Sequence, residues 1–215
     1  MQTVANQGEL RHVRRVQNSR ATHGDASDRS AGISDEQLMT SYGRGDVAAF
    51  DVLYHRNKGS LYRYFLRQTS RAELAEEMSH EVWLRIIKSR TRYLPKAKFT
   101  TYLYQIAHNC LVDFYRKQAG QPAMDHDEQT LEAAPAREDC DPEVQATNHQ
   151  TRNALAALIG QLPMEQREAF ILKEEAQLSI EEIANVIAEN PETVKSRLRY
   201  ATRKLKNGLQ EWLNR

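Results

Sequence analysis

The chain has 215 residues, of which 40% are hydrophobic and 27% are charged, and its formal net charge is +1. This length and composition predict one or two compact domains with a buried core. They argue against a membrane-spanning protein, because no apolar run approaches the roughly 20 residues that a bilayer requires.

Charge is distributed unevenly along the chain. Residues 34–118 carry 14 basic and nine acidic residues, whereas residues 119–148 carry eight acids and a single arginine. The final stretch, residues 193–215, carries seven basic residues and one acid. The near-neutral total therefore hides two basic surfaces separated by an acidic segment.

The two cysteines, Cys110 and Cys140, have neither metal-ligand nor disulfide-framework spacing. They fit a reduced, cytoplasmic setting best. The N-terminus contains Arg and Gln but no apolar stretch, so we expect no secretory signal. Residues 1–33 are polar and lack hydrophobic periodicity, which predicts a disordered arm. This arm is either a passive tail or a basic segment that contacts nucleic acid.

Residues 34–118 have the periodicity of a helical bundle. A capping box at Ser34–Gln37 starts the first helix, and Asp46 is placed to cap a longer one. Apolar stripes predict two more helices, at about 71–90 and 100–117. We identify no strand, so this domain is predicted to be all-α.

Residues 119–148 contain Gly, several Pro and little apolar content, which predicts a flexible linker whose negative charges repel one another. A second helical domain is predicted over residues 149–215. Within it, Ser179 caps a short helix, and Asn190 followed by Pro191 is a strong start signal for a long one. The three residues 188–190 form the turn between them.

The last helix has two chemically different faces. Its apolar residues fall on one stripe, and polar or cationic residues fall on the opposite side: Lys195, Ser196, Arg199, Arg203 and Lys206. Such a face could be an ordinary solvated surface of an amphipathic helix. The preceding short helix and the three-residue turn favour a helix-turn-helix, whose second helix contacts DNA.

Five segments, which form three motifs, resemble the extracytoplasmic-function (ECF) group of bacterial RNA polymerase sigma factors. The segments 162–170, 178–184 and 193–198 are similar to region four of that family. The segment 75–83 is similar to the polymerase-binding part of region two, and 99–109 to the part that melts and reads the minus-ten element. The resemblance covers about residues 35–117 and 150–210.

The resemblance implies a non-enzymatic transcription factor of two small helical domains, with no cofactor and no metal. Its implied partners are core RNA polymerase (β′ clamp helices and β flap) and promoter DNA, with an anti-sigma factor as a further candidate. The linker is then either a plain tether or an acidic segment that passes through the polymerase channel for RNA.

The resemblance also assigns site residues. The polymerase-binding candidates are Glu76, Glu77, His80, Glu81 and Arg85. The minus-ten candidates are Arg92, Lys96, Lys98, Tyr104, Gln105, Asn109, Arg116 and Lys117.

In the minus-thirty-five set, base edges are assigned to Lys195, Ser196 and Arg199, and phosphates to Arg197, Arg203 and Lys206. Tyr102 is predicted to belong to the core instead of stacking on a base. Tyr200 could stack on a sugar or pack within the protein, and packing is favoured. Ala188 stands where the family usually has a turn glycine.

Two other classes of protein are considered. The Glu77–His80 spacing is that of one half of a di-iron site, but no second Glu-x-x-His motif accompanies it. The cluster at 125–128 could bind a metal, but it lies in a segment with no core to fix its geometry. The remaining alternative is a helix-turn-helix regulator that does not bind core polymerase.

Overall fold

The computed structural model describes residues 32–119 and 142–214. These residues form α-helices and one 3-10 turn, without strands, as predicted. The predicted N-terminal arm, apart from residues 32–33, and most of the predicted linker lie outside the described residues. The helices are α1 (Asp35–Gly43), α2 (Val47–Thr69), α3 (Ala72–Ser89), α4 (Phe99–Ala119), α5 (Pro142–Gly160), α6 (Met164–Glu174), α7 (Ile180–Ile187) and α8 (Pro191–Leu213).

Side-chain caps fix the starts of several helices, as the sequence predicted. Ser34 and Gln37 form a reciprocal capping box before α1, and Asp46 accepts two backbone N–H bonds at the start of α2. Asn190 caps α8, whose first residue is proline. These polar groups satisfy backbone donors that a helix leaves unpaired at its first turn.

Helix α5 begins earlier than predicted. It starts at Pro142, whereas the sequence prediction placed the second domain near Asn148. Proline suits the first helical position because its missing N–H would have no partner there. Pro142, one of the prolines from which the linker was predicted, is therefore the first residue of a helix.

Aromatic side chains from α1, α2 and α3 fill the core of the first domain. Phe50 lies 4.7 Å from the Tyr42 ring and 5.9 Å from Trp83, and Trp83 also contacts Tyr54. Cys110 on α4 is buried beside this core, and burial raises the pKa of its thiol to about 11. The thiol therefore stays protonated at neutral pH and packs as an apolar group.

The second domain packs α8 against α5, α6 and α7. Val194, Ala201 and Leu205 form its buried stripe. Gly208 lets α8 approach α5 closely, because a Cβ at this position would collide with the Leu158 side chain on α5.

The two domains also pack on each other, so that their buried side chains form one continuous cluster. Helix α2 lies against α5 and α6, and α4 lies against α7. No helix in the described parts of the chain is both long and apolar enough to cross a bilayer.

Candidate nucleic-acid and polymerase interfaces

The predicted helix-turn-helix is present as α7, a turn and α8. Ser179 and Glu182 form a reciprocal capping box that starts α7. Ala188 then adopts the left-handed conformation (φ 54°, ψ 44°) and reverses the chain toward Asn190, which caps α8. The turn therefore joins the end of the short helix directly to the start of α8.

The face of α8 opposite its buried stripe is cationic, as predicted. Arg199 and Arg203 are exposed on it, and Ser196 is half-buried near its N-terminal end. Lys195 and Lys206 are exposed as well. Five of the six minus-thirty-five candidates thus carry positive charge on or beside one accessible surface.

Tyr200 differs from its prediction. It was expected to pack within the protein, but 43% of its surface is exposed. The guanidinium groups of Arg199 and Arg203 lie 5.5 and 5.0 Å from the centre of its ring. The apolar ring is partly covered by these two cations instead of by the core, which holds both cations on the exposed face.

Two glutamates pair with cationic side chains at the start of α8. The Lys195 Nζ lies 2.7 Å from Glu192, and this hydrogen bond raises the pKa of Lys195. Arg197 donates to Glu189 in the turn at 2.8 Å. Lys195 and Arg197 therefore have internal partners that DNA phosphates or bases would have to replace.

The polymerase-binding candidates lie together on α3. Glu76 and Glu77 are exposed and His80 is half-buried beside a groove between α2 and α3, which is also lined by Tyr54 and Trp83. Farther along, Arg85 bonds Glu81 at 2.8 Å. Arg85 also reaches Asp113 on α4 at 3.5 Å, which ties this end of the surface to the next helix.

Most of the minus-ten candidates are exposed around the loop between α3 and α4 and along α4. The exposed ones are Arg92, Lys96, Lys98, Gln105, Asn109, Arg116 and Lys117. Tyr102 packs against the core as predicted, and its hydroxyl lies 2.6 Å from that of Ser89.

Tyr104 is placed differently from the other minus-ten candidates. Only 1% of it is exposed, and its ring lies 5.4 Å from Tyr64. Burial raises the pKa of Tyr104 to about 12. Tyr104 is therefore inaccessible to DNA in this structure.

A buried polar cluster joins the two domains. The Tyr64 hydroxyl on α2 donates to Glu168 Oε1 on α6 at 2.7 Å, and His108 Nδ1 on α4 lies 2.7 Å from the same oxygen. Burial, together with the adjacent Glu168 carboxylate, raises the pKa of Tyr64 well above its usual value. The phenol is therefore held protonated as a donor.

Further charged contacts surround this cluster. Glu175 accepts hydrogen bonds from Arg63 at 2.7 Å and Arg67 at 2.8 Å. Arg167 donates across the domains to the Gln68 carbonyl. Lys98, one of the minus-ten candidates, forms an ion pair with Glu182 of α7 at 3.0 Å.

The sequence prediction missed these interdomain residues. One signal was available: Glu168 shares the buried face of α6 with Ile171 and Leu172, so an acid occupies a core position. Its partners come from far along the chain, and no local pattern identifies them.

The described residues contain no group of three or more His, Cys, Asp or Glu side chains arranged to hold a metal ion. The Glu77–His80 pair lies within the described residues, and it is not part of such a group. The acidic cluster at 125–128 lies outside the described residues.

Comparison with known proteins assigns both domains. The family described as Sigma-70 region 2 matches residues 53–121, and that described as Sigma-70, region 4 matches residues 152–205. The RNA polymerase sigma factor CarQ of Myxococcus xanthus is 30% identical over 174 residues, covering 80% of this chain and 96% of CarQ.

The ECF RNA polymerase sigma factor SigE of Mycolicibacterium smegmatis is 29% identical, covering 82% of this chain and 69% of that protein. A solved structure titled as CnrH in complex with the cytosolic domain of CnrY has a similar fold. Its TM-score is 0.60 at 20% identity, over 82% of this chain and 97% of that one.

The matches fall on both domains in the order that the motifs predicted. A helix-turn-helix regulator would not carry a sigma region two, so that alternative is set aside. The chain therefore belongs to the extracytoplasmic-function group of sigma-70-type sigma factors, non-enzymatic proteins that direct RNA polymerase to promoters.

Proposed function

We propose that the exposed face of α8 reads the minus-thirty-five element from the major groove. One observation carries this proposal: the exposed cations Lys195, Arg199, Arg203 and Lys206 lie on the side of α8 away from its buried residues Val194, Ala201 and Leu205. A recognition helix needs this arrangement, because one face must pack while the other enters the groove.

Side chains at the two ends of this face are expected to contact different parts of the DNA. Residues at the start of a recognition helix contact base edges, so we assign Lys195, Ser196 and Arg199 to bases. Cations farther along, together with a flanking one, are assigned to phosphates: Arg197, Arg203 and Lys206. The internal pairs with Glu192 and Glu189 would then keep Lys195 and Arg197 extended until DNA replaces the acids.

Promoter melting is assigned to the loop after α3 and to α4. Melting requires a base to leave the stack, and cations and planar groups then hold the separated strand. The proposed contacts are Arg92, Lys96, Lys98, Tyr104, Gln105, Asn109, Arg116 and Lys117. Exposure of all of these except Tyr104 supports the assignment.

Core RNA polymerase is the proposed partner of α3. By similarity to the family, Glu76, Glu77, His80, Glu81 and Arg85 contact the β′ clamp helices, and the second domain contacts the β flap. An anti-sigma factor is a further proposed partner, because the sigma factor RpoE of Bartonella quintana, which has a similar fold, was solved in complex with the anti-sigma factor NepR. The protein would then act in the cytoplasm, where polymerase and promoter DNA are found.

The acidic segment between the domains has two candidate roles. Residues 119–148 carry a net charge of −7, from eight acids and Arg137, which resembles the charge of a nucleic acid. The segment is proposed either to follow the polymerase channel for RNA or to tether the domains. Replacing 125–141 by a neutral segment of equal length would alter abortive synthesis only in the first case.

The polymerase assignment is tested by Glu77→Lys. Glu77 is exposed, so reversal of its charge should weaken binding to core polymerase in the absence of DNA without disturbing the fold. Glu211→Lys on α8 makes the same charge change at another exposed site and should bind as the wild type does. Equal affinity of all three proteins, measured by surface plasmon resonance, would refute the assignment.

A further inference from the structure

The sequence just before α4 offers no side chain that could cap this helix. Residues 95–98 are Pro, Lys, Ala and Lys, and none of these side chains can accept a hydrogen bond. A helix commonly obtains its cap from the residue directly before it. The unpaired backbone N–H groups at the start of α4 must therefore find acceptors in water or elsewhere in the fold.

Glu36 of α1 supplies one such acceptor. Its Oε1 atom accepts a hydrogen bond from the Phe99 backbone N–H at 2.6 Å, although the two residues lie 63 positions apart in the sequence. Burial acts to raise the pKa of the half-buried Glu36, but its hydrogen bonds, first among them that from Phe99, lower the pKa overall. The carboxylate is therefore ionised at neutral pH, and a negative charge is favourable at a helix N-terminus.

Helix α1 also contacts the other end of the loop between α3 and α4. Gly43 ends α1 so close to the 3-10 turn after α3 that a Cβ on it would lie 2.7 Å from the Arg90 carbonyl oxygen. Between these two contacts, the Tyr93 ring lies 5.1 Å from the Tyr102 ring and 6.3 Å from that of Phe99. The loop is thus held at both ends by α1 and in between by an aromatic cluster.

The groups proposed to contact minus-ten DNA lie on both sides of the Glu36 cap. Lys96 and Lys98 are exposed in the loop, and Asn109 is exposed on α4. A surface that binds a separated strand gains affinity when its parts are already in place, because ordering them during binding costs free energy. The hydrogen bond to Phe99 fixes the loop and α4 relative to each other at the point where they meet.

We infer that Glu36 is a positioning residue for promoter melting, because its cap on α4 holds the loop and the exposed side chains of α4 in one arrangement. This inference rests on the proposed minus-ten role of the loop and of α4. Glu36 itself is assigned no contact with DNA. Its loss should therefore slow strand separation while leaving the initial binding of the promoter, which is assigned largely to α8, unchanged.

Two substitutions at position 36 separate loss of the cap from loss of the charge. Glu36→Ala removes the acceptor and should slow promoter opening at least about 10-fold, the factor expected for one hydrogen bond to a charged group. Glu36→Gln keeps an acceptor oxygen on a side chain of the same length, so it should restore most of the wild-type rate.

Asp35→Ala is the matched control on the same turn of α1. The Asp35 carboxylate binds Arg56 and Asn57 of α2 at 2.8 Å each, and the structure shows no hydrogen bond or ion pair from it to the described residues of α4. This variant removes an acid from the first turn of α1, as Glu36→Ala does, but leaves the cap on α4 intact. It should open promoters at the wild-type rate.

Hydrogen exchange of the Phe99 amide, followed by nuclear magnetic resonance in the full-length free chain, measures the cap directly. The amide should be protected in the wild type, in Glu36→Gln and in Asp35→Ala. In Glu36→Ala it should exchange at least about 10-fold faster, because the start of α4 opens more often. Unchanged exchange in Glu36→Ala would overturn the inference.

Promoter opening is measured with core polymerase and each chain, by permanganate reactivity of the minus-ten thymines. Lys96→Ala combined with Asn109→Ala serves as the reference, since both residues are exposed and neither takes part in the cap. Normal opening in this double variant would refute the minus-ten assignment itself. Slow opening in the double variant with normal opening in Glu36→Ala, or equally slow opening in Asp35→Ala and Glu36→Ala, would overturn the role of Glu36 alone.

Discussion

Two arginines on α8 occupy equivalent positions around Tyr200 but are assigned different partners. Arg199 and Arg203 each lie within 5.5 Å of the Tyr200 ring centre, one turn apart. Arg199 is nearer the start of α8, the part of a recognition helix that contacts base edges, and Arg203 lies farther along and is assigned to a phosphate. Because each loses the same ring contact when replaced, their substitutions to alanine form a matched pair.

We expect Arg199→Ala to relax selection at one minus-thirty-five position and Arg203→Ala to preserve the selected sequence. A good base contact contributes about 1–3 kcal/mol of discrimination, whereas loss of a phosphate contact weakens all sequences and flattens the salt dependence by about one unit. Selection from a randomised promoter library at two salt concentrations measures both effects. An identical consensus for the wild type and both variants would contradict this division.

At the scale of elements, the turn between α7 and α8 has a residue with an unfavourable conformation. Ala188 adopts a positive φ of 54°. For residues with a Cβ, this left-handed conformation costs roughly 1–2 kcal/mol, whereas glycine adopts it freely. A glycine at this turn, as is usual in the family, would adopt the conformation without strain, whereas this chain has an alanine.

We expect Ala188→Gly to raise the free energy of unfolding of the second domain by up to about 1 kcal/mol. The relief of strain is partly offset by about 0.4–1 kcal/mol of added unfolded-state entropy. Ala188→Val should lower stability, since a β-branched residue tolerates this conformation less well. Urea titration followed by circular dichroism compares the three chains, and a less stable Ala188→Gly would show that the turn is not strained.

The helices themselves were largely predictable, because their signals are local. Ser34, Asp46, Ser179 and Asn190 all cap helices where the sequence placed them. The start of α5 was missed because Pro142 can either interrupt a chain or begin a helix. The prediction that Tyr200 packs within the protein was wrong, because its ring contacts Arg199 and Arg203 on the surface instead of the core.

At the scale of the whole molecule, the packing of one domain on the other was not predicted. It depends on pairs such as Tyr64 with Glu168 and Lys98 with Glu182, which are far apart in the sequence. Periodicity and capping report only on neighbouring residues. The two surfaces proposed to read the promoter were identified from resemblance and charge, whereas the burial of Tyr104 followed only from the tertiary structure.

We propose that this chain selects promoters for RNA polymerase through two DNA elements, each of which is read by one domain. The most direct measurement is transcription by core polymerase with the purified chain on a genomic DNA library, followed by sequencing of the transcript starts. We expect the transcript starts that depend on this chain to share a minus-ten and a minus-thirty-five element at a constant spacing. Starts that lack shared elements, or that match those of core polymerase alone, would contradict it.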